Sequence, residues 1–186
     1  MKNNFINNEI WVLTFGGGFQ RSNAYQKSDT NDEKERKHFR DALRNTIEKF
    51  VNEYYVSSSV TENQHIAHIE SIINFTKEYG QANNGLLTNN KLNFGIVQKV
   101  FNLYLKYQWC LGNINTPPHF PVDRIIQELL IKELKTKGLP SFKLKPWTMF
   151  ESDVDYLNVI KYANNVLEKS KLKTLAELEL HLFDRK

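Results

Sequence analysis

The sequence predicts a mainly α-helical protein, a single compact domain of about six helices with room for a cleft between two lobes. Three observations carry that expectation. Apolar residues recur at i, i+3, i+4 and i+7 in successive stretches of the chain. Residues that cap helices, such as Thr61, Asp123 and Thr174, stand at the start of several of these stretches. The clearest β-favouring run, Ile10 to Phe15, is short.

Residues 1–31 read as an extended N-terminal arm, with a short strand over Ile10 to Phe15 and a flexible turn at Gly16, Gly17 and Gly18. No Lys-Ser/Thr pair follows the triple glycine, so a phosphate loop is not indicated. The helical domain then occupies residues 32–186. Its first helix runs from Asp32, a capping residue, to Tyr55, with Phe39, Leu43, Ile47 and Val51 on its apolar face. The next opens at Thr61 and stops at Gly80, and the Asn/Gly-rich stretch after it is a loop.

From Asn93 to Leu111 the chain predicts a helix that is apolar almost all round, which marks a buried central element. Pro117 and Pro118 make an extended connection after it. A helix follows Pro121, with Asp123 at its first turn, where a carboxylate accepts backbone N–H groups. Residues 139–150 form a lysine- and aromatic-bearing connector. Ser152 or Asp153 caps another helix, and Thr174 with Glu177 forms a capping box for a last short one.

The chain has 186 residues, 40% of them hydrophobic, enough for one substantial core. Its net charge is +4, and nine lysines lie between Lys132 and Lys173. That balance points to an anionic partner, nucleic acid before others. The single cysteine, Cys110, excludes an internal disulfide and a cysteine metal cluster, and its place on the apolar helix predicts burial. His65 and His68 have metal-compatible spacing but lack a third ligand, so neither a metal nor a cofactor is implied. No run approaches a membrane-spanning length and no apolar leader stands at the N-terminus, so a soluble cytoplasmic protein with no membrane partner is expected.

At about 100° per residue, Gly95, Lys99, Asn102 and Lys106 fall in one stripe of the central helix, with Gln98 and Trp109 at its edge. An unpaired buried ammonium is costly, so the stripe is either an exposed face or the lining of a polar cleft.

The order Gly95-Ile-Val-Gln-Lys99-Val, an apolar helix, and then Pro121-Val122-Asp123 with a helix after it resembles the active-site region of helix-hairpin-helix DNA glycosylases, most of all the branches that remove 8-oxoguanine. The hairpin itself reads Leu92-Asn93-Phe94-Gly95, where that family has a Leu-Pro-Gly-x-Gly run. The resemblance implies base excision with lyase activity on DNA, with Lys99 as nucleophile and Asp123 as the carboxylate opposite it. A flipped base would need aromatic neighbours and polar edge readers. Trp109, Phe120 and Trp147 are the aromatic candidates, and Gln98, Asn102 and Lys106 the polar ones. His119 and Arg124 flank the Pro-Val-Asp segment and are candidates to orient Asp123 or touch phosphate, and Lys143 and Lys145 in the connector are candidates for phosphate contact alone. The competing reading is a non-catalytic helical module that binds nucleic acid or a protein partner.

Overall fold

Seven helices account for the architecture among the described residues, 1–27 and 33–183 of the computed structural model: α1 (Lys2–Phe19), α2 (Glu33–Tyr54), α3 (Glu62–Ala82), α4 (Phe94–Cys110), α5 (Arg124–Thr136), α6 (Asp153–Glu168) and α7 (Leu175–Leu182). Short 3-10 turns at Thr88–Asn90 and Trp147–Met149 join them. The mainly α class holds, and α4 is central: α1, α3 and the Trp147–Met149 turn pack on it, while α5, α6 and α7 pack on one another. Its Phe94, Val97, Val100, Phe101 and Leu105 are all essentially inaccessible.

Local chemistry sets most boundaries. Thr61 and Gln64 form a capping box on α3, Thr174 and Glu177 form another on α7, and Asn93, Asp123 and Ser152 cap α4, α5 and α6 with side-chain oxygens. Helix α3 passes Gly80 and ends at Ala82. The capping expected of Asp32 lies outside the described residues. No helix is long and apolar enough to cross a membrane among the described residues.

The N-terminal segment corrects the sequence reading. Residues 2–19 are not an extended arm but an 18-residue helix, and the three glycines lie inside it. Helix α1 has no side-chain cap and no acidic first turn, so its helicity comes from packing rather than local signals. Each interior glycine costs about 1 kcal/mol against alanine. Burying Ile10 and Trp11 returns roughly 2 kcal/mol or more apiece, and the glycines themselves permit close approach to α4. A Cβ on Gly18 would lie 2.3 Å from Val100 Cγ2, and one on Gly17 would lie 2.8 Å from Leu103 Cδ1. Trp11 stacks on Tyr104 at 4.4 Å and donates its indole N–H to Glu48 at 2.7 Å, fastening α1 to both α4 and α2. The small β element is elsewhere, an antiparallel bridge between Tyr25 and Leu87.

Cys110 is also a correction. It closes the last turn of α4 and is exposed, because the helix emerges from the core there.

A polar cluster lies inside the core where α2, α3, α4 and α6 meet. Tyr55 Oη lies 2.8 Å from His65 Nδ1 and 3.1 Å from His68 Nδ1. The His65 ring stacks on Phe101 at 5.5 Å, and His119 packs edge-on against His65 at 5.0 Å. Burial holds the His65 imidazole well below its usual pKa, with the neighbouring His119 and His68 acting the same way. Burial also lowers His119, against an opposing pull from Glu62, whose Oε2 is 3.3 Å from His119 Nε2.

Both imidazoles are therefore neutral when folded and take up protons more readily when unfolded. Their stabilising contribution is complete above about pH 6.5 and is lost as pH falls from there toward the lowered folded values, by about 1.4 kcal/mol per pH unit for each histidine. Urea denaturation between pH 7.5 and 5 should show this decline. A flat profile would mean that neither ring is held neutral.

Candidate functional site

Two members of the polar stripe of α4, Lys99 and Lys106, face a cleft. Lys99 is 8% exposed, and its Nζ donates to Asp123 Oδ2 at 2.7 Å. The indole of Trp147 lies beneath the same ammonium, 4.7 Å from centroid to Nζ, a cation–π contact that shields it further from water. Asp123 is the N-cap of α5, and its other oxygen, Oδ1, accepts the Ile126 N–H at 3.0 Å. One carboxylate thus starts a helix and holds the lysine.

The relative placement of these two residues is fixed by Gln98. Its Nε2 donates to Val122 O at 2.7 Å and to Gly95 O at 3.0 Å, while its Oε1 accepts the Val122 N–H at 3.1 Å. The residue before Lys99 therefore grips the residue before Asp123 by both of its backbone groups. Gln98 and Val122 are both fully buried, so removing the amide leaves a donor and an acceptor without water. Gln98→Met, similar in shape but without hydrogen bonds, is expected to lower stability by about 2–4 kcal/mol. Urea titration measures this, and a change below about 0.5 kcal/mol would show that the clamp is dispensable.

Two turns further along α4, Lys106 Nζ donates to Glu179 of α7 at 2.8 Å from Oε1 and 2.6 Å from Oε2. The Phe183 ring centroid lies 4.5 Å from the same ammonium. Glu179 is 3% exposed, and burial pushes its carboxyl above the usual range, with Lys106 opposing that shift.

Both ion pairs line one cavity of ≈ 710 Å³, open on one side. Helix α1 contributes Val12, Leu13, Gly16 and Gly17 to its wall, α4 adds Leu103 and Tyr107, and Pro121, Ile125 and Phe183 complete it. Val12 and Ile125 are 65% and 53% exposed, so the rim is apolar while the interior carries two cations and two carboxylates.

Of the residues singled out from the sequence, Lys99, Asp123 and Lys106 come together here, and Trp147 touches Lys99. The others do not enter the cavity. Gln98 points to the Pro-Val-Asp backbone, and Asn102, 1% exposed, donates to Tyr156 Oη at 3.0 Å; both are turned toward the core, so neither reads a ligand edge. Trp109, His119 and Phe120 border a void of only ≈ 10 Å³ behind the Lys106–Glu179 pair. Arg124 points to solvent and pairs with Glu128 at 2.7 Å. Lys143 and Lys145 line a separate depression, where Lys145 meets Asp155 at 2.5 Å. Among the described residues no three His, Cys, Asp or Glu side chains converge as a metal site.

Sequence reasoning missed Glu179, Phe183, Tyr107 and the α1 wall. A signal for Glu179 was present: it shares a helical face with Leu175, Leu178 and Leu182, so a carboxylate sits in an apolar stripe. Nothing in the sequence alone placed α1 against α4. Comparison of the chain with known protein families, with curated proteins and with solved structures finds no match.

Proposed function

We propose that this protein is a DNA glycosylase with lyase activity that takes an extruded, modified nucleotide into the cavity beside α4. The observation that carries the reading is the pairing of Lys99 Nζ with Asp123 Oδ2 at 2.7 Å on the wall of a cavity whose ≈ 710 Å³ suits a nucleoside. The local resemblance to helix-hairpin-helix glycosylases named the same two residues.

Lys99 Nζ passes a proton to Asp123 Oδ2 along their hydrogen bond and becomes a neutral amine. Its lone pair forms a bond to C1′ as the glycosidic C–N bond breaks, and the bonding electrons leave with the base, which takes up the proton that Asp123 received and so returns Asp123 to its anionic form. The Nζ–C1′ adduct carries two N–H protons; one passes to O4′ as the sugar ring opens, which leaves a protonated Schiff base, and loss of a C2′ proton then expels the 3′ phosphate by β-elimination. Anionic again, Asp123 stabilises the positive charge of the Nζ–C1′ adduct and then of the protonated Schiff base. Tyr107 and Phe183 offer aromatic surface to the departing base, and the Lys106–Glu179 pair offers a donor and an acceptor to its edge.

The test is a panel of duplex oligonucleotides, each with one modified base, assayed for base release and for covalent trapping with borohydride. Release of at least one base, with a trapped adduct, is the expected result. Because both lysines already have carboxylate partners, the cavity also suits a non-catalytic nucleic-acid-binding module. That reading predicts oligonucleotide binding with no base release and no adduct across the whole panel.

A further inference from the structure

A second depression, of ≈ 610 Å³, runs between α1 and α2. Val12, Gly16 and Gln20 line both it and the cavity, and their i, i+4, i+8 spacing makes them the ridge between the two. At Gly16 the ridge is low: a Cβ built there meets nothing within 4 Å.

The far wall of the groove carries Lys37, Arg40 and Arg44 on one face of α2. Its floor carries the half-buried rings of Phe15 and Phe19, stacked at 5.3 Å, and Tyr25. Among the described residues Asp41 is the one carboxylate in the lining. Glu33 holds Arg40, and Glu48 and Asn8 hold Arg44, which orients each guanidinium and leaves further N–H groups for an incoming acceptor. Lys37 is exposed and makes no ion pair among the described residues. Lys37 and Arg44 are about 10 Å apart along the helix, close to the span of four successive phosphates on one strand of a duplex, at about 3.4 Å of axis each.

We propose that this groove is a strand subsite, in which Lys37, Arg40 and Arg44 take backbone phosphates while the half-buried Phe15, Phe19 and Tyr25, whose faces are largely taken by one another, by Phe39 and by Arg36, offer ring edges as apolar contact to the strand, the strand crossing the ridge at Gly16 to reach the cavity. The continuity with the cavity rests on the glycosylase reading, but nucleic-acid binding in the groove does not. A cationic wall beside an aromatic floor suits a polyanion that carries apolar bases better than an acidic peptide.

The experiment measures fluorescence anisotropy of labelled 20-mer oligonucleotides, single-stranded and duplex, with the full chain at several salt concentrations. Lys37→Glu/Arg40→Gln is expected to weaken binding about tenfold at low salt and to reduce the salt slope by about 1–2. Lys132→Glu/Lys135→Gln, with the same change of charge on α5, should alter binding less than twofold. Gly16→Leu raises the ridge while replacing a helical glycine with a stronger helix former, so its Tm should be unchanged or higher while affinity falls several-fold.

Unchanged affinity in the groove variant, an equal loss in the α5 control, or competition by polyglutamate as effective as by DNA would overturn the proposal. Binding that depends on the groove but comes without base release retires the glycosylase reading alone. Base release with unaltered affinity in the groove variant retires the groove alone.

Discussion

Lys99→Gln is expected to reduce base release by about three orders of magnitude or more and to eliminate the borohydride-trapped adduct, while leaving oligonucleotide affinity within a few-fold. Glutamine retains a hydrogen-bond donor for Asp123, so the carboxylate is not left without a partner, but the amide nitrogen has no basic lone pair with which to attack C1′. Lys99→Arg sharpens the comparison, because it keeps the positive charge and the pairing and loses only the nucleophile. Asp123→Asn should also impair turnover, yet asparagine is an equally good N-cap, so α5 should keep its start. Retention of the adduct in both Lys99 variants would exclude this amine as the nucleophile.

The largest effect on stability is expected at Gly95. Its missing side chain is filled by backbone: a Cβ there would sit 1.7 Å from the carbonyl oxygen of Trp147 and 2.9 Å from its carbon. Gly95 N–H also donates to Phe150 O at 3.0 Å, so the approach is a hydrogen-bonded one and cannot relax by rotating a side chain. Gly95→Ala should therefore destabilise the protein by about 3 kcal/mol or more, at the upper end of overpacking costs. It would also push away the turn that carries Trp147, and so disturb the ring beneath Lys99. Thermal or urea denaturation measures the loss; a change under about 1 kcal/mol would mean that the connector can shift at little cost.

The two residues at the centre of the proposed chemistry were legible because each sits at a position with a local signature. Lys99 interrupts an apolar helix, and Asp123 stands one residue before a helix start, after a proline. Their contact was not derivable from spacing alone, since it depends on the Gln98 clamp, and a helical projection cannot say what an amide meets. The same limit put Gln98 and Asn102 on the wrong side of α4. They share the polar stripe by angle, but the elements packed against them are the Val122 backbone and Tyr156. Helix α1 was illegible for a different reason. Three consecutive glycines argue against a helix in isolation, and only the surface of α4, brought close in space, gives two of them, Gly17 and Gly18, a reason to be there. Aromatic residues were misassigned because burial and cavity lining look alike in sequence. Phe120 and Trp109 back the wall that Tyr107 and Phe183 face.

The cavity joins residues from Val12 to Phe183, close to the full span of the described chain. No fragment that folds on its own could hold such a pocket, because its opposite walls come from the first and last helices. Whatever binds there consequently favours the entire native assembly by mass action, at about 2.7 kcal/mol when present at a hundred times its Kd. Amide exchange should then slow even in α3, which lines neither the cavity nor the groove, wherever exchange proceeds through global opening.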